Sequence, residues 1–122
     1  MAQSGDAQLQ AIQHQLAQGS AALEDVVKYV VANVKTDIKG VFSGSVLYLK
    51  LAGIVLGGWQ MARAALVAHD KLQSGDADKA FLEAKIVTAR FFAGHILSAA
   101  QGMRSAIVDG SAGVMGLPEE MF

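Results

Sequence analysis

Apolar and small residues recur along two long segments at intervals of three and four, the spacing of one face of an α-helix. The first series consists of Leu9, Ile12, Leu16, Gly19, Leu23, Val26 and Val30. The other consists of Leu82, Ile86, Ala89, Phe92, Ile96, Ala99, Met103 and Ile107. No segment alternates apolar and polar residues with the period of two that is typical of a strand. The pattern therefore predicts an all-α protein.

Between these two series lies a segment, Tyr48 to Leu66, that is apolar on nearly every side of a helical projection. A helix of this kind is buried either in protein or in lipid. The uncharged run between Lys50 and Arg63 is only twelve residues long, whereas a membrane span needs about 20 apolar residues. We therefore expect the central helix of a bundle and no membrane span.

Two short polar segments separate the three patterns: Thr36 to Ser45, which is rich in Gly and Ser, and Gln73 to Gly75. They predict helices over about 6–37, 43–72 and 76–109, with Asp76 as the N-cap of the third helix. Residues 110–122 contain several Gly and one Pro and are expected to form an irregular tail. The prediction is one domain, 1–122, folded as an up-down antiparallel bundle of three long helices. A break of the first helix at Gly19 would give four.

The central helix can be divided into two strips. The large apolar strip contains Tyr48, Ala52, Val55, Trp59, Ala62 and Leu66 and is assigned to the core. Tyr48, Trp59 and, on the third helix, Phe92 are the predicted core anchors. The opposite strip is small and partly polar, and residues without a side chain allow another backbone to approach closely. This strip is the predicted interaction surface: Lys50, Gly53, Gly57 and Gln60, with Arg63 at its edge.

Composition excludes several classes of function. Ten Lys and Arg residues against eleven Asp and Glu residues give a net charge of -1, so no basic surface for nucleic acid or an anionic membrane is expected. The chain has no Cys, which fits a reducing compartment. Its polar N-terminus lacks the features of an export signal. We therefore expect a cytoplasmic protein.

Candidate catalytic residues are scarce. A bundle that holds a metal pair needs inward Glu residues and a Glu-x-x-His motif, but none of His14, His69 and His95 has a carboxylate three residues before it. No phosphate-binding loop or nucleophile motif occurs either. The sequence predicts no catalytic, cofactor-binding or metal-binding residue in this chain.

Three runs of residues resemble the extra C-terminal helical domain of bacterial acyl-CoA dehydrogenases. The first is Tyr48-Leu49 with Leu51 and Gly53, and the second is Gly57-Gly58-Trp59 with Arg63. The third is Ala89-Arg90-Phe91-Phe92 with His95 and Leu97. Two positions depart from the family pattern: Ala52 replaces a large aromatic residue, and Ser98 replaces a Pro that would kink the third helix.

The resemblance implies a domain that lacks the chemistry of its enzyme. In such enzymes the preceding domains hold FAD, the acyl-CoA thioester and the catalytic Glu, and these segments are absent from the 122 residues. FAD is thus expected only in a missing enzyme body, and the chain is either an excised domain or the product of a truncated or split gene. The expected function is packing against that body or a sister subunit in fatty acid metabolism. Because the central helix has more apolar surface than two neighbours can bury, we also expect homodimers in isolation. The alternative is an independent carrier of a small apolar or acyl ligand in a pocket between the Gly strip and Trp59.

Overall fold

The computed structural model describes residues 2–75 and 78–122. No β-strand occurs in these ranges, so the all-α prediction is confirmed. The α-helices are α1 (Ala2–Asn33), α2 (Ile38–Ser43), α3 (Ser45–Gln73), α4 (Lys79–His95) and α5 (Ala100–Val108). Three turns of 3-10 helix lie at Leu97–Ala99, Gly110–Gly113 and Glu119–Met121.

The long helices run up, down and up. Asp6 of α1 lies 3.3 Å from His69 near the end of α3, and Gly19 lies beside Val55 in the middle of α3. Gly57 of α3 in turn lies beside Phe92 of α4. The antiparallel bundle is therefore confirmed, and α1 contacts α4 and α5 directly as well as α3, so that the three long elements pack around one another.

The connections follow the predicted turns with two differences. Residues 38–43, expected in the first turn, form the short helix α2, whose N-cap Asp37 accepts a hydrogen bond from the Gly40 amide at 3.1 Å. The second connection contains Gly75, whose φ of 82° lies in the left-handed region that favours glycine. The predicted N-cap Asp76 lies outside the described residues, and Asp78 caps α4 by accepting a hydrogen bond from the Phe81 amide.

Helix α1 continues through Gly19 without a break. Gly19 is buried, and a Cβ atom added there would lie 2.8 Å from Leu97 Cδ1. A Cβ atom added at Gly58 of α3 would lie 2.8 Å from Leu97 Cδ2. Leu97, which is 1% exposed, therefore fills a space that two glycines leave on two different helices. Close packing against Leu97 compensates for the low helix propensity of Gly19.

The single third helix predicted for 76–109 is wrong, because α4 ends at His95 and a 3-10 turn at Leu97–Ala99 separates it from α5. The break occurs where the family pattern would place a Pro and this chain has Ser98. The Ser98 hydroxyl donates a hydrogen bond to the Gly94 carbonyl at 2.6 Å, a side-chain bond that is known to bend helices. A kink at this position thus forms without proline.

The core also differs from the prediction on α3. Its buried residues are Leu51, Val55, Gly58, Ala65 and Ala68. Ala52, Trp59 and Leu66 of the predicted strip are each replaced by the residue before them, whereas Val55 belongs to both strips. The inward side is therefore rotated by less than the roughly 100° that separates consecutive residues of a helix. Trp59 is consequently 47% exposed and is not a core anchor. The reason is steric, since small residues at 58, 65 and 68 let α1 and α4 pack closer than Trp59 and Leu66 would allow.

By length and composition alone, α3 could cross a membrane: the mean hydropathy of its most apolar 18-residue window is 1.4, and 28% of that window is buried. Within the bundle it contacts α1, α4 and α5, and α1 in turn contacts α4 and α5. Those contacts are what a helix of a packed bundle makes. The absence of a membrane span stays a prediction.

Candidate interaction surface

The side of α3 that faces away from the core is apolar at several positions. Val46 is 78% exposed and Leu49 is 77% exposed, and Leu56 and Val67 are each more than half exposed. A Cβ atom added at Gly53 would meet nothing within 4 Å. We call the set spaced at threes and fours the outer face of α3: Val46, Leu49, Gly53, Leu56, Gln60, Arg63 and Val67. It is a continuous strip with a glycine near its centre.

The predicted interaction residues lie on or beside this outer face. Lys50, Gly53, Gln60 and Arg63 are exposed. Gly57 is partly covered, because a Cβ atom added there would lie 3.3 Å from Phe92 Cζ. The structure thus groups the predicted positions, and whether they contact a partner stays a prediction.

Sequence reasoning missed the large apolar members of the outer face: Val46, Leu49, Leu56 and Val67. Their spacing was visible in the sequence. The signal was obscured because α3 is apolar on all sides, so periodicity could not select which strip faces inward.

Of the predicted core anchors, two do pack at the edge of the core. Tyr48 and Phe92 are partly buried against it. Trp59 instead lies at the surface with the Arg63 guanidinium 5.1 Å from its ring centroid. That distance is within the range of a cation-π contact, which an exposed pair stabilises by about 0.5–1 kcal/mol.

A groove of about 400 Å³ lies between α3 and α4, beside the Val67 end of the outer face. Its apolar lining includes Val67 and Phe81, and its cationic side chains are Arg63, Lys71 and Lys85. The Lys85 ammonium lies 5.2 Å from the Phe81 ring centroid. Among residues 2–75 and 78–122, no acidic side chain lines this groove, so its described lining combines apolar side chains with positive charge.

A second groove, of about 520 Å³, lies between α1 and α3 and is lined by residues such as Leu9, Leu16 and Leu66. Neither groove includes Trp59 or the glycines of α3. The carrier hypothesis requires a pocket between Gly53 or Gly57 and Trp59. Neither of these two grooves lies there.

The histidines occupy separate places. His14 hydrogen-bonds Gln18, His69 pairs with Asp6, and His95 stacks on Phe91 with ring centroids 4.2 Å apart. Within residues 2–75 and 78–122, no three His, Asp or Glu side chains are grouped so that they could hold a metal ion. What this part of the chain presents is an apolar face with a basic groove beside it.

Comparison with known proteins agrees with the sequence resemblance. Residues 1–118 match the family described as acetyl-CoA dehydrogenase C-terminal like. The chain is also 36% identical over 105 residues to the 3-methylmercaptopropionyl-CoA dehydrogenase of Ruegeria pomeroyi. That match covers 86% of this chain but only 18% of the relative's length. No solved structure matches the chain significantly. This all-α chain belongs to the acetyl-CoA dehydrogenase C-terminal like family.

Proposed function

We propose that the domain is a non-catalytic packing module of an acyl-CoA dehydrogenase-like flavoenzyme. It uses the outer face of α3 to contact the enzyme body or a sister subunit. The observation that carries the proposal is the strip of exposed Val46, Leu49 and Leu56 around the uncovered Gly53. A contiguous exposed apolar strip on a soluble domain marks a protein contact more often than it marks a free surface.

The geometry of the face suits a helix as its partner. Gly53 lets a backbone approach closely, while Leu49 and Leu56 on either side provide apolar area that the partner removes from water. Burial of each such side chain stabilises an interface by about 1.5–3 kcal/mol. A few residues of this kind are sufficient to dominate the energy of an interface.

The chemistry of the enzyme is assigned to a body outside this chain. The relative's name describes a dehydrogenase of an acyl-CoA thioester, and we propose the same class of reaction for the flavoenzyme that this domain serves. FAD and the thioester are then bound by that body, in the cytoplasm. The domain itself contributes contacts rather than reacting groups.

The test is sedimentation velocity of the chain and of the variant Leu49→Lys with Leu56→Lys, from micromolar to millimolar concentration. In isolation the outer face has no body to cover it, so the chain should form concentration-dependent homodimers. Two buried lysines would be desolvated in the dimer, and the variant should be monomeric. Circular dichroism should show unchanged helix content, because both positions are solvent-exposed in the monomer.

A matched control is Val87→Lys with Phe91→Lys, which places two charges at exposed apolar positions of α4, away from the outer face of α3. This control should dimerise as the unmodified chain does. A chain that stays monomeric at every concentration, or a dimer that survives the α3 substitutions, contradicts the proposal.

A further inference from the structure

The groove between α3 and α4 contains cations without acidic partners. Among the described residues, Arg63, Lys71 and Lys85 form no ion pair. The groove walls are apolar at Val67, and at Phe81, which is more than half exposed. A complementary occupant would therefore be both acidic and apolar.

The end of this chain has that composition. Beyond Arg104 the sequence contains no Lys or Arg, and Glu119 and Glu120 lie next to Met121 and Phe122. Phe122 is 90% exposed. We call residues 114–122 the acidic segment. Its other exposed apolar residues are Val114, Met115 and Leu117.

Within one copy, the acidic segment begins at the end of the bundle opposite the basic groove. The 3-10 turn that precedes the segment packs against α2, next to the start of α3. The groove lies between Gln60 and Lys71, towards the other end of α3. The helix between Gly44 and Val67 is about 35 Å long. No residue of the segment lines the groove.

We propose that the acidic segment of one copy docks in the basic groove of a second copy. Gly53 lies nine residues after Gly44 and ten residues before Arg63. If two outer faces pack antiparallel about a two-fold axis at Gly53, the α2 end of each copy lies level with the groove of the other. This inference rests on the proposed function of the outer face.

The docked segment would make both apolar and charged contacts. Met121 and Phe122 pack against Val67 and Phe81, while the two carboxylates lie near the cations of the groove. Exposed ion pairs are individually weak and are screened by salt. Electrostatic complementarity therefore sets the orientation of the two copies, and apolar burial supplies most of the affinity.

The test uses the full chain with charges exchanged between segment and groove. One variant carries Glu119→Lys and Glu120→Lys, and the other carries Lys71→Glu and Lys85→Glu. Each variant alone places like charges together in a homodimer, and its dissociation constant should rise about tenfold. An equimolar mixture of the two variants can form heterodimers. Only in a heterodimer does the segment of each copy face a groove of opposite charge. Mixing should therefore restore the affinity of the unmodified chain.

The control variant carries Glu24→Lys and Glu83→Lys, which changes the net charge by the same amount as Glu119→Lys with Glu120→Lys does, at exposed positions outside the segment and the groove. Its dimer should keep the original salt dependence. If neither charge-exchanged variant weakens the dimer, or if mixing them restores nothing, the docking of the segment is wrong. A dimer that still requires Leu49 and Leu56 would then leave the proposed function of the outer face intact.

Discussion

Both sides of α3 carry large apolar residues in the first half of the helix, and the two sides differ most in its second half. The inward side packs through Leu51 and Val55 and then through the small residues Gly58, Ala65 and Ala68, whereas the outward side carries Val46, Leu49 and Leu56 and then the polar Gln60 and Arg63. In most surface helices the large apolar residues face the core. Here large apolar residues also face outward, because beyond Val55 the core is closed by small residues of α3 and by side chains from the neighbouring helices. The exposed Val46, Leu49 and Leu56 are the residues for which we propose a packing role.

The largest expected effect is on the inward side, at Leu97. Truncation by Leu97→Ala would leave a cavity bordered by Gly19 and Gly58, which have no side chains to fill it. The free energy of unfolding should fall by about 2–5 kcal/mol. Urea denaturation followed by circular dichroism measures this loss. The outward control Leu49→Ala should change the value by less than about 0.5 kcal/mol when both are compared as monomers.

Adjacent positions of α3 should respond in opposite ways to a change in size. Ala65 is fully buried, so Ala65→Leu should overpack the contact with α1 and α4 and cost about 1–3 kcal/mol. Leu66 is half exposed, and Leu66→Ala should cost no more than about 1 kcal/mol. The reverse order in thermal unfolding would mean that the helix faces its neighbours through the strip containing Trp59 and Leu66.

Glycine substitutions sharpen the same comparison. Gly53→Ala introduces a Cβ atom into open space and should raise the free energy of unfolding of the monomer by about 0.5–1 kcal/mol through helix propensity. Gly58→Ala gains the same propensity but presses on Leu97, with a net loss of about 1 kcal/mol. If Gly58→Ala stabilises the protein as much as Gly53→Ala does, Leu97 is not held between the two glycines.

The smallest effect is expected on the polar surface of α1. The Lys28 ammonium lies 2.8 Å from Glu24, and this hydrogen bond raises the pKa of Lys28 above its ordinary value. The corresponding stabilisation is present below the ordinary pKa of lysine and is lost as the pH rises through the raised pKa. Glu24→Gln should lower the pKa of Lys28, as measured by NMR titration. An unchanged pKa would show that the pair does not persist in water.

The sequence predicted which side of a helix is buried where another side of that helix is polar. It did not do so where every side is apolar. In α1 the series through Leu9, Ile12 and Val26 correctly identified the inward side, because glutamines and charged residues are frequent on the other sides of that helix. In α3 every side is apolar, and residue size suggested Trp59 for the core. Only the mutual fit of three helices decides that Gly58 is buried instead.

The break near Ser98 shows a second limit. A proline in a sequence predicts a kink. A serine bends a helix only when its hydroxyl bonds the carbonyl four residues before it in the folded chain, so the residue type alone does not predict the bend. The predicted interaction residues Lys50, Gly53, Gly57, Gln60 and Arg63 were chosen for their small or polar character, and their contact with a partner stays a prediction. Val46 and Leu49 were not, since an exposed leucine has the same local pattern as a buried one.

The position of Leu97 also has a consequence for how the chain folds. Its two methyl groups contact Gly19 and Gly58, which are far from it and from each other along the sequence. A hairpin of only two helices leaves one side of Leu97 in water, so partial structures gain little of its burial. Long-range contacts of this kind slow folding and make the transition cooperative. The bundle should therefore unfold as one unit, without a populated two-helix intermediate.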